Sequence, residues 1–148
     1  MMMRNVVVLW LLMATWVAEA QISKDVVIRV PPVRYFIHVA NDLTNQDMFV
    51  HCQSKDDDLR IQHLVHRGDE FRWNFKENFW KTTLFWCRLE KSDAHVSFNV
   101  FWPESKHHWL RDRCGSQGVC IWSAKDDGIY LRNLPAQNEE FVHKWIII

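Results

Sequence analysis

Glycine is scarce in this 148-residue chain, which has 4, beside 4 prolines and 4 cysteines. That scarcity excludes collagen-like, linker-like and other low-complexity architectures. Net charge is missing too, with 18 Lys and Arg against 18 Asp and Glu. A neutral chain has no bulk attraction for nucleic acid, because phosphate binding by counterion release needs a basic surface. Beyond residue 20 no apolar run approaches the ~20 residues a bilayer span requires, so no membrane insertion of that part is expected. Cys-x-x-Cys pairs are absent: Cys114 and Cys120 enclose five residues while Cys52 and Cys87 stand apart, which does not suit a zinc site. No Asn-x-Ser/Thr sequon occurs either, so no N-glycan is expected.

What is present first is a secretion signal. Arg4 precedes an apolar run from Val6 to Val17, and Ala18-Glu19-Ala20 gives the small-x-small pattern that signal peptidase cuts after. Residues 1–20 are therefore expected to be removed, leaving a product that begins at Gln21 and is extracellular. In that oxidising setting an even number of cysteines reads as two disulfides. Four cysteines allow three pairings. Gly115 and Gly118 let the short Cys114–Cys120 loop close, which leaves Cys52 with Cys87, while pairings of Cys52 with Cys114 or Cys120 stay open at this point.

After residue 20 the pattern is strand-like to the end and the chain is long enough for one domain. Val26 to Val30 is β-branched and stops at Pro31-Pro32, so residues 21–32 read as an N-terminal arm or edge strand. From residue 33 to 148 a single domain is expected. Tyr35, Ile37 and Val39 alternate with Arg34 and His38; Met48, Val50 and Cys52 with His51 and Gln53; Phe71, Trp73 and Phe75 with Arg72, Asn74 and Lys76. Thr83–Cys87 is apolar on both sides and reads as a central strand. Val96, Phe98, Val100 and Trp102 alternate again, and Cys120–Trp122, Ile129–Leu131 and Phe141–Ile148 follow. About eight short strands separated by turn residues predict an all-β fold, a small antiparallel β-sandwich. A helical turn is conceivable only around Trp109–Arg113. Arg67-Gly68-Asp69 spells a tripeptide that animal integrins bind, but between two strand patterns it reads as a hairpin turn.

Two blocks carry a resemblance. The first runs His51-Cys52-Gln53-Ser54-Lys55-Asp56-Asp57-Asp58-Leu59, then Gly68, Phe71-Arg72-Trp73-Asn74-Phe75, Asn78-Phe79-Trp80 and Thr82 to Cys87. The second is Arg111-Asp112-Arg113-Cys114, Cys120-Ile121-Trp122, Asp127-Gly128-Ile129-Tyr130 and Trp145. Together they resemble the plant self-incompatibility protein S family, the S-protein homologues, over roughly residues 33–148. The resemblance implies a small secreted β-sandwich with two disulfides. For the members that name the family it also implies a ligand recognised by a receptor at a plant cell surface. Arg60 and Lys81 stand where the family pattern has glycine, so the turns after Asp58 and after Trp80 are expected to be built differently.

Candidate contact residues follow from charge and exposure. Asp56-Asp57-Asp58 is the densest charge run and reads as a solvated loop that a partner could contact. Calcium needs six to eight oxygens converging on one point, which three successive residues on an extended chain do not supply. His63 and His66 would share a face only on a helix, and the local pattern is a strand. Among the tryptophans, alternation places Trp73, Trp102 and Trp122 on apolar faces. Trp80 and Trp109 sit near turns and polar neighbours and are the candidates for partner contact. No Gly-x-Ser-x-Gly elbow and no compact His/Lys constellation is present, so no enzyme, cofactor or metal site is expected. The leading expectation is a non-catalytic secreted ligand read through its loops by a cell-surface protein. A carbohydrate-binding or defence protein is the alternative, and a small hydrolase or nuclease comes last.

Overall fold

The computed structural model describes residues 34–148; the expected signal peptide, the 21–32 arm and Val33 lie outside the described residues. Alternation builds the strands. In β1 (Arg34–Asn41) Tyr35, Ile37 and Val39 are buried while Arg34 and Phe36 face out. In β2 (Met48–Ser54) Met48, Val50 and Cys52 take the inner face. β3 (Asp58–Leu64) and β4 (Glu70–Lys76) follow, the latter half-burying Phe71, Trp73 and Phe75. β5 (Phe85–Lys91) and β6 (Ala94–Phe101) precede a six-residue helix, α1 (Trp109–Cys114). The chain closes with β7 (Val119–Lys125), β8 (Gly128–Asn133), β9 (Asn138–His143) and β10 (Ile146–Ile147).

These strands form two five-stranded sheets, β4-β1-β7-β8-β9 and β10-β6-β5-β2-β3. Aromatic rings join the inner faces: Tyr35 meets Phe101 at 4.8 Å, Phe75 meets Phe85 at 4.6 Å and Phe98 meets Trp122 at 5.0 Å between centroids. The fold is thus an all-β sandwich around one apolar core. Trp122 is fully buried and its indole N–H donates to the Val100 carbonyl at 3.1 Å. Trp73 is half-buried, and its indole nitrogen has no partner among the described residues. No helix among the described residues is long and apolar enough to cross a membrane.

Several details depart from the pattern read along the chain. One strand pair, β1 with β7, is parallel, with Ile37 opposite Cys120. β5 starts at Phe85 rather than Thr83 and continues to Lys91 with Arg88 and Glu90 turned outward. Trp102 lies past the end of β6, because a register shift opposite Phe85/Trp86 lets Val100 and Phe101 both face the core. Residues 141–148 do not make one strand. β9 ends at His143, Trp145 turns inward to donate to the Lys125 carbonyl at 2.7 Å, and β10 joins the other sheet beside β6. Arg67-Gly68-Asp69 is not a hairpin turn either, since it carries the chain from β3 to β4, which are edge strands of different sheets. Gly128 serves space: a Cβ there would press on the Phe141 ring and lie 2.6 Å from the His143 carbonyl oxygen.

One end of the sandwich is organised by Asn41, which is fully buried. Its amide donates to the carbonyls of Gln46 at 2.9 Å and Leu64 at 3.1 Å, and its oxygen accepts from the Leu43 N–H at 3.0 Å. The Gly68 N–H in turn donates to the Asn41 carbonyl at 2.7 Å, which pins the crossover turn. The buried Asn41 amide would otherwise lack partners.

The cysteines pair as Cys52–Cys87 and Cys114–Cys120, with no free thiol among the described residues. The first joins β2 and β5 at directly opposed positions, and the second ties the end of α1 to β7 across Gly115 and Gly118, whose φ values are 72° and 68°. Those left-handed residues let a ring with a sequence separation of 6 close. Loop-closure entropy assigns roughly 4 kcal/mol to the longer ring and about 2 kcal/mol to the shorter. Replacing Cys52 and Cys87 by alanine is therefore expected to lower the urea midpoint more than replacing Cys114 and Cys120. Equal losses in paired urea titrations would show that the short bridge contributes more than its ring size.

Candidate recognition surface

The other end of the sandwich gathers the β2–β3 turn, the 77–84 loop, the 102–108 loop and α1. The register places them together: Ser54 pairs with Phe85, Phe85 with Phe101, and Arg34 with Lys76. Arg111 on α1 ties its helix to two of these segments, the 77–84 and 102–108 loops. Its guanidinium donates to Glu77 at 2.7 Å, to Glu104 at 2.9 Å and to the Trp102 carbonyl at 3.2 Å. The Glu104 carboxylate also accepts from the backbone N–H of Leu110 at 2.7 Å and of Arg111 at 3.3 Å. It thereby satisfies the first turn of a helix whose own N-cap, His108, makes no side-chain cap. Side-chain exposure is 12% for Arg111, 10% for Glu77 and 3% for Glu104. Burial opposes the Arg111 charge, but the Glu104 hydrogen bond and the Glu77 charge outweigh it and hold its pKa above the ordinary value. The cation lies 4.8 Å from the Phe101 ring centroid and 5.7 Å from that of Tyr35, so the charge cluster rests on the core.

The 77–84 loop is fixed by Asn78. The Asn78 side-chain oxygen accepts from the Thr82 N–H at 2.9 Å, its amide donates to Thr82 Oγ1 at 2.9 Å, and its backbone N–H donates to Thr83 Oγ1 at 2.9 Å. The Lys81 N–H closes the turn onto the Asn78 carbonyl at 3.1 Å. Phe79 and Trp80 stand at the apex, 86% and 79% exposed, with their rings edge to face at 5.3 Å. Trp109 is placed differently. It is 37% exposed, stacks on Trp102 at 5.9 Å, and lies under the Arg113 guanidinium at 4.2 Å. Arg113 also pairs with Glu140 on β9, so both faces of Trp109 are engaged by the protein.

The three aspartates divide. Asp56 and Asp57 are exposed in the β2–β3 turn, which closes through the Ser54 N–H onto the Asp57 carbonyl at 2.8 Å and the Asp57 N–H onto Ser54 Oγ at 3.1 Å. Asp58 is the first residue of β3 and is used internally. Its Oδ1 lies 2.7 Å from His51 Nε2 and accepts from the Arg60 N–H at 2.8 Å. The His51 bond, then the Arg60 amide, holds the Asp58 carboxyl below the usual carboxylate range. His63, farther along β3, is 2.6 Å from Asp47 and stacks on Phe49.

The residues after Asp58 and Trp80 overturn one expectation. Both turns keep left-handed backbone, with φ of 65° at Arg60 and 57° at Lys81. Arg60 fills a bulge in which Leu59 and Arg60 together face Cys52, a place where glycine is the usual occupant. An L side chain in this region costs roughly 1 kcal/mol relative to glycine.

Arg111, Glu77 and Glu104 escaped the sequence reading because they come from three separated segments and no spacing connects them. Phe79 escaped it too, although it adjoins Trp80. Replacing Arg111 by alanine leaves the buried Glu104 carboxylate without a cation and Glu77 with only the exposed Lys81 ammonium, and is expected to cost about 3–5 kcal/mol. Arg111→Lys, which keeps a cation but loses the planar fork, is expected to keep more of that stability yet speed amide exchange in residues 77–84 and 102–114, as read by mass spectrometry. Unchanged exchange there would deny the cluster its positioning role. Asp58 gives a pH test. Because its pKa is lowered in the folded chain, the carboxylate contributes stability above about pH 4, and this is lost as pH falls through its folded pKa. Asp58→Asn should flatten the acid limb of a stability-versus-pH curve, and an unchanged limb would deny the His51 and Arg60 bonds any part in it.

Comparison with known proteins agrees with this architecture. The family model for plant self-incompatibility protein S1 matches residues 36–145. S-protein homolog 1 of Arabidopsis thaliana is 39% identical over 125 residues, covering 83% of this chain and 78% of that protein. Self-incompatibility protein S1 of Papaver rhoeas is 39% identical over 84 residues, covering 55% of each. A solved structure of an SPH (self-incompatibility protein homologue) protein, described as one of a widespread family of small, highly stable, secreted plant proteins, superposes with a TM-score of 0.57. It shares 19% identity and covers 76% of this chain and 94% of that one, and it supports the fold. With its two sheets, two disulfides and matched sequence blocks, the chain belongs to the plant self-incompatibility protein S1 family of small secreted proteins.

Proposed function

We propose that this protein is a non-catalytic ligand, recognised through the loop end of its sandwich by a protein receptor at a plant cell surface. The observation that carries the reading is the Phe79–Trp80 pair, two large rings held in solvent by a loop whose backbone is fixed by Asn78 and Thr82. Exposed aromatics on a rigid frame are what an interface hot spot requires, because they bring large contact area and lose little entropy on binding. Asp56 and Asp57 add exposed charges at the same end, and Trp109 lies beside Lys106 and His107. Relatives named for self-incompatibility support a role in recognition between cells.

The test uses the labelled secreted protein and wall-free plant cells. Saturable binding that disappears when the cells are first shaved with trypsin is expected. Phe79→Ala with Trp80→Ala should weaken it at least about tenfold, as loss of hot-spot rings does, at an unchanged urea midpoint. Binding that survives trypsin, or that ignores both substitutions, would exclude a protein receptor engaged by this tip.

A further inference from the structure

Arg60 and Lys81 hold long cationic side chains on left-handed backbone, and the fold makes little use of either charge. Asn45 shares that backbone region, but asparagine visits it readily; Gln137 shares it too, uncharged and beside β9. Arg60 is exposed, and its guanidinium meets no carboxylate within ion-pairing distance among the described residues. Its amide alone is engaged, by Asp58, and glycine would supply the same amide. The Lys81 ammonium reaches Glu77 at 3.5 Å, yet that carboxylate already holds Arg111 at 2.7 Å, and the Lys81 side chain is 70% exposed. Strain that packing does not require persists where something outside the fold uses it.

The topology says what could use it. Gln53 pairs with Asp58 on one side of β2, and Ser54 pairs with Phe85 on the other. Arg60 therefore follows the β2–β3 turn on one flank and Lys81 precedes β5 on the other, with Phe79, Trp80, Asp56 and Asp57 at the same end. We propose that Arg60 and Lys81 are specificity-determining contacts for a partner surface that sets carboxylates opposite them, around an apolar socket for Phe79 and Trp80. This rests on the receptor reading above. Asp56 and Asp57 between the flanks would repel a uniformly anionic surface, so the occupant is a protein face of mixed charge. Such charge patterns set orientation and association rate.

The experiment compares wild type, the double variant R60G/K81G and the double variant R60K/K81R in the trypsin-controlled cell-binding assay, at low and at physiological salt. Urea midpoints are measured in parallel. R60G/K81G is expected to raise the midpoint by relieving strain while weakening binding about tenfold, chiefly through slower association, and to flatten the salt dependence. R60K/K81R should bind within about twofold of wild type, since both cations remain. Unchanged affinity of R60G/K81G beside a wild type that binds overturns this inference alone. Absence of saturable, trypsin-sensitive binding by wild type overturns the receptor reading and this inference with it. Binding to polygalacturonate or to phosphatidylserine vesicles that R60G/K81G loses would assign the cations to a polyanion and overturn the mixed-charge protein partner.

Discussion

The loop end of this protein depends on one buried cation. Arg111 joins Glu77, Glu104 and the Trp102 carbonyl, and Glu104 passes the constraint on to the backbone of α1. Taking three charges out of water is costly, and a well-packed apolar trio of similar volume would serve stability about as well. Apolar groups would not fix direction. The guanidinium fork has fixed donors, so the segments it binds must meet it from set angles. The arrangement therefore orients the loops more than it stabilises the domain. Its anchorage is covalent as well as electrostatic, because the Cys114–Cys120 bridge fastens the far end of α1 to β7.

The two ends of the sandwich solve the same problem with different chemistry. At the Asn41 end a buried neutral amide satisfies three backbone groups of the connecting loops, and the chain crosses between sheets there. At the Arg111 end the loops are longer and carry exposed rings, and charged groups hold them. Neutral hydrogen bonds inside the protein are insensitive to pH, whereas the exposed His51–Asp58 pair beside the β2–β3 turn depends on an ionised Asp58 carboxylate.

The fold was largely legible in the sequence, because one face of nearly every strand is wet and the period of two survives. Tyr35, Ile37 and Val39, or Met48, Val50 and Cys52, could be assigned to the core from spacing alone. The misreadings arise where pairing overrides period. Phe101 is buried because a bulge shifts β6, and the β1–β7 pair is parallel because distant strands meet through the whole topology; neither leaves a local mark. Trp109 was legible as a turn-side tryptophan, but its stacking on Trp102 and beneath Arg113 comes from tertiary packing. The acidic run reads as one loop, although the strand boundary falls inside it at Asp58.

That boundary also explains why Arg60 can be tolerated. A bulge residue needs left-handed backbone, and any L residue there is strained, so the surrounding structure must over-determine the turn. Asp58 does so: one carboxylate oxygen holds both His51 on the neighbouring strand and the Arg60 amide. Asn78 does the same for Lys81, by holding the turn from its amide, its oxygen and its carbonyl. In each case a short polar side chain fixes the backbone locally and leaves the long side chain that follows with little structural duty. Loops built this way can vary the exposed residue while the turn beneath it persists, so the outward chemistry of this end of the sandwich is separable from the backbone that carries it.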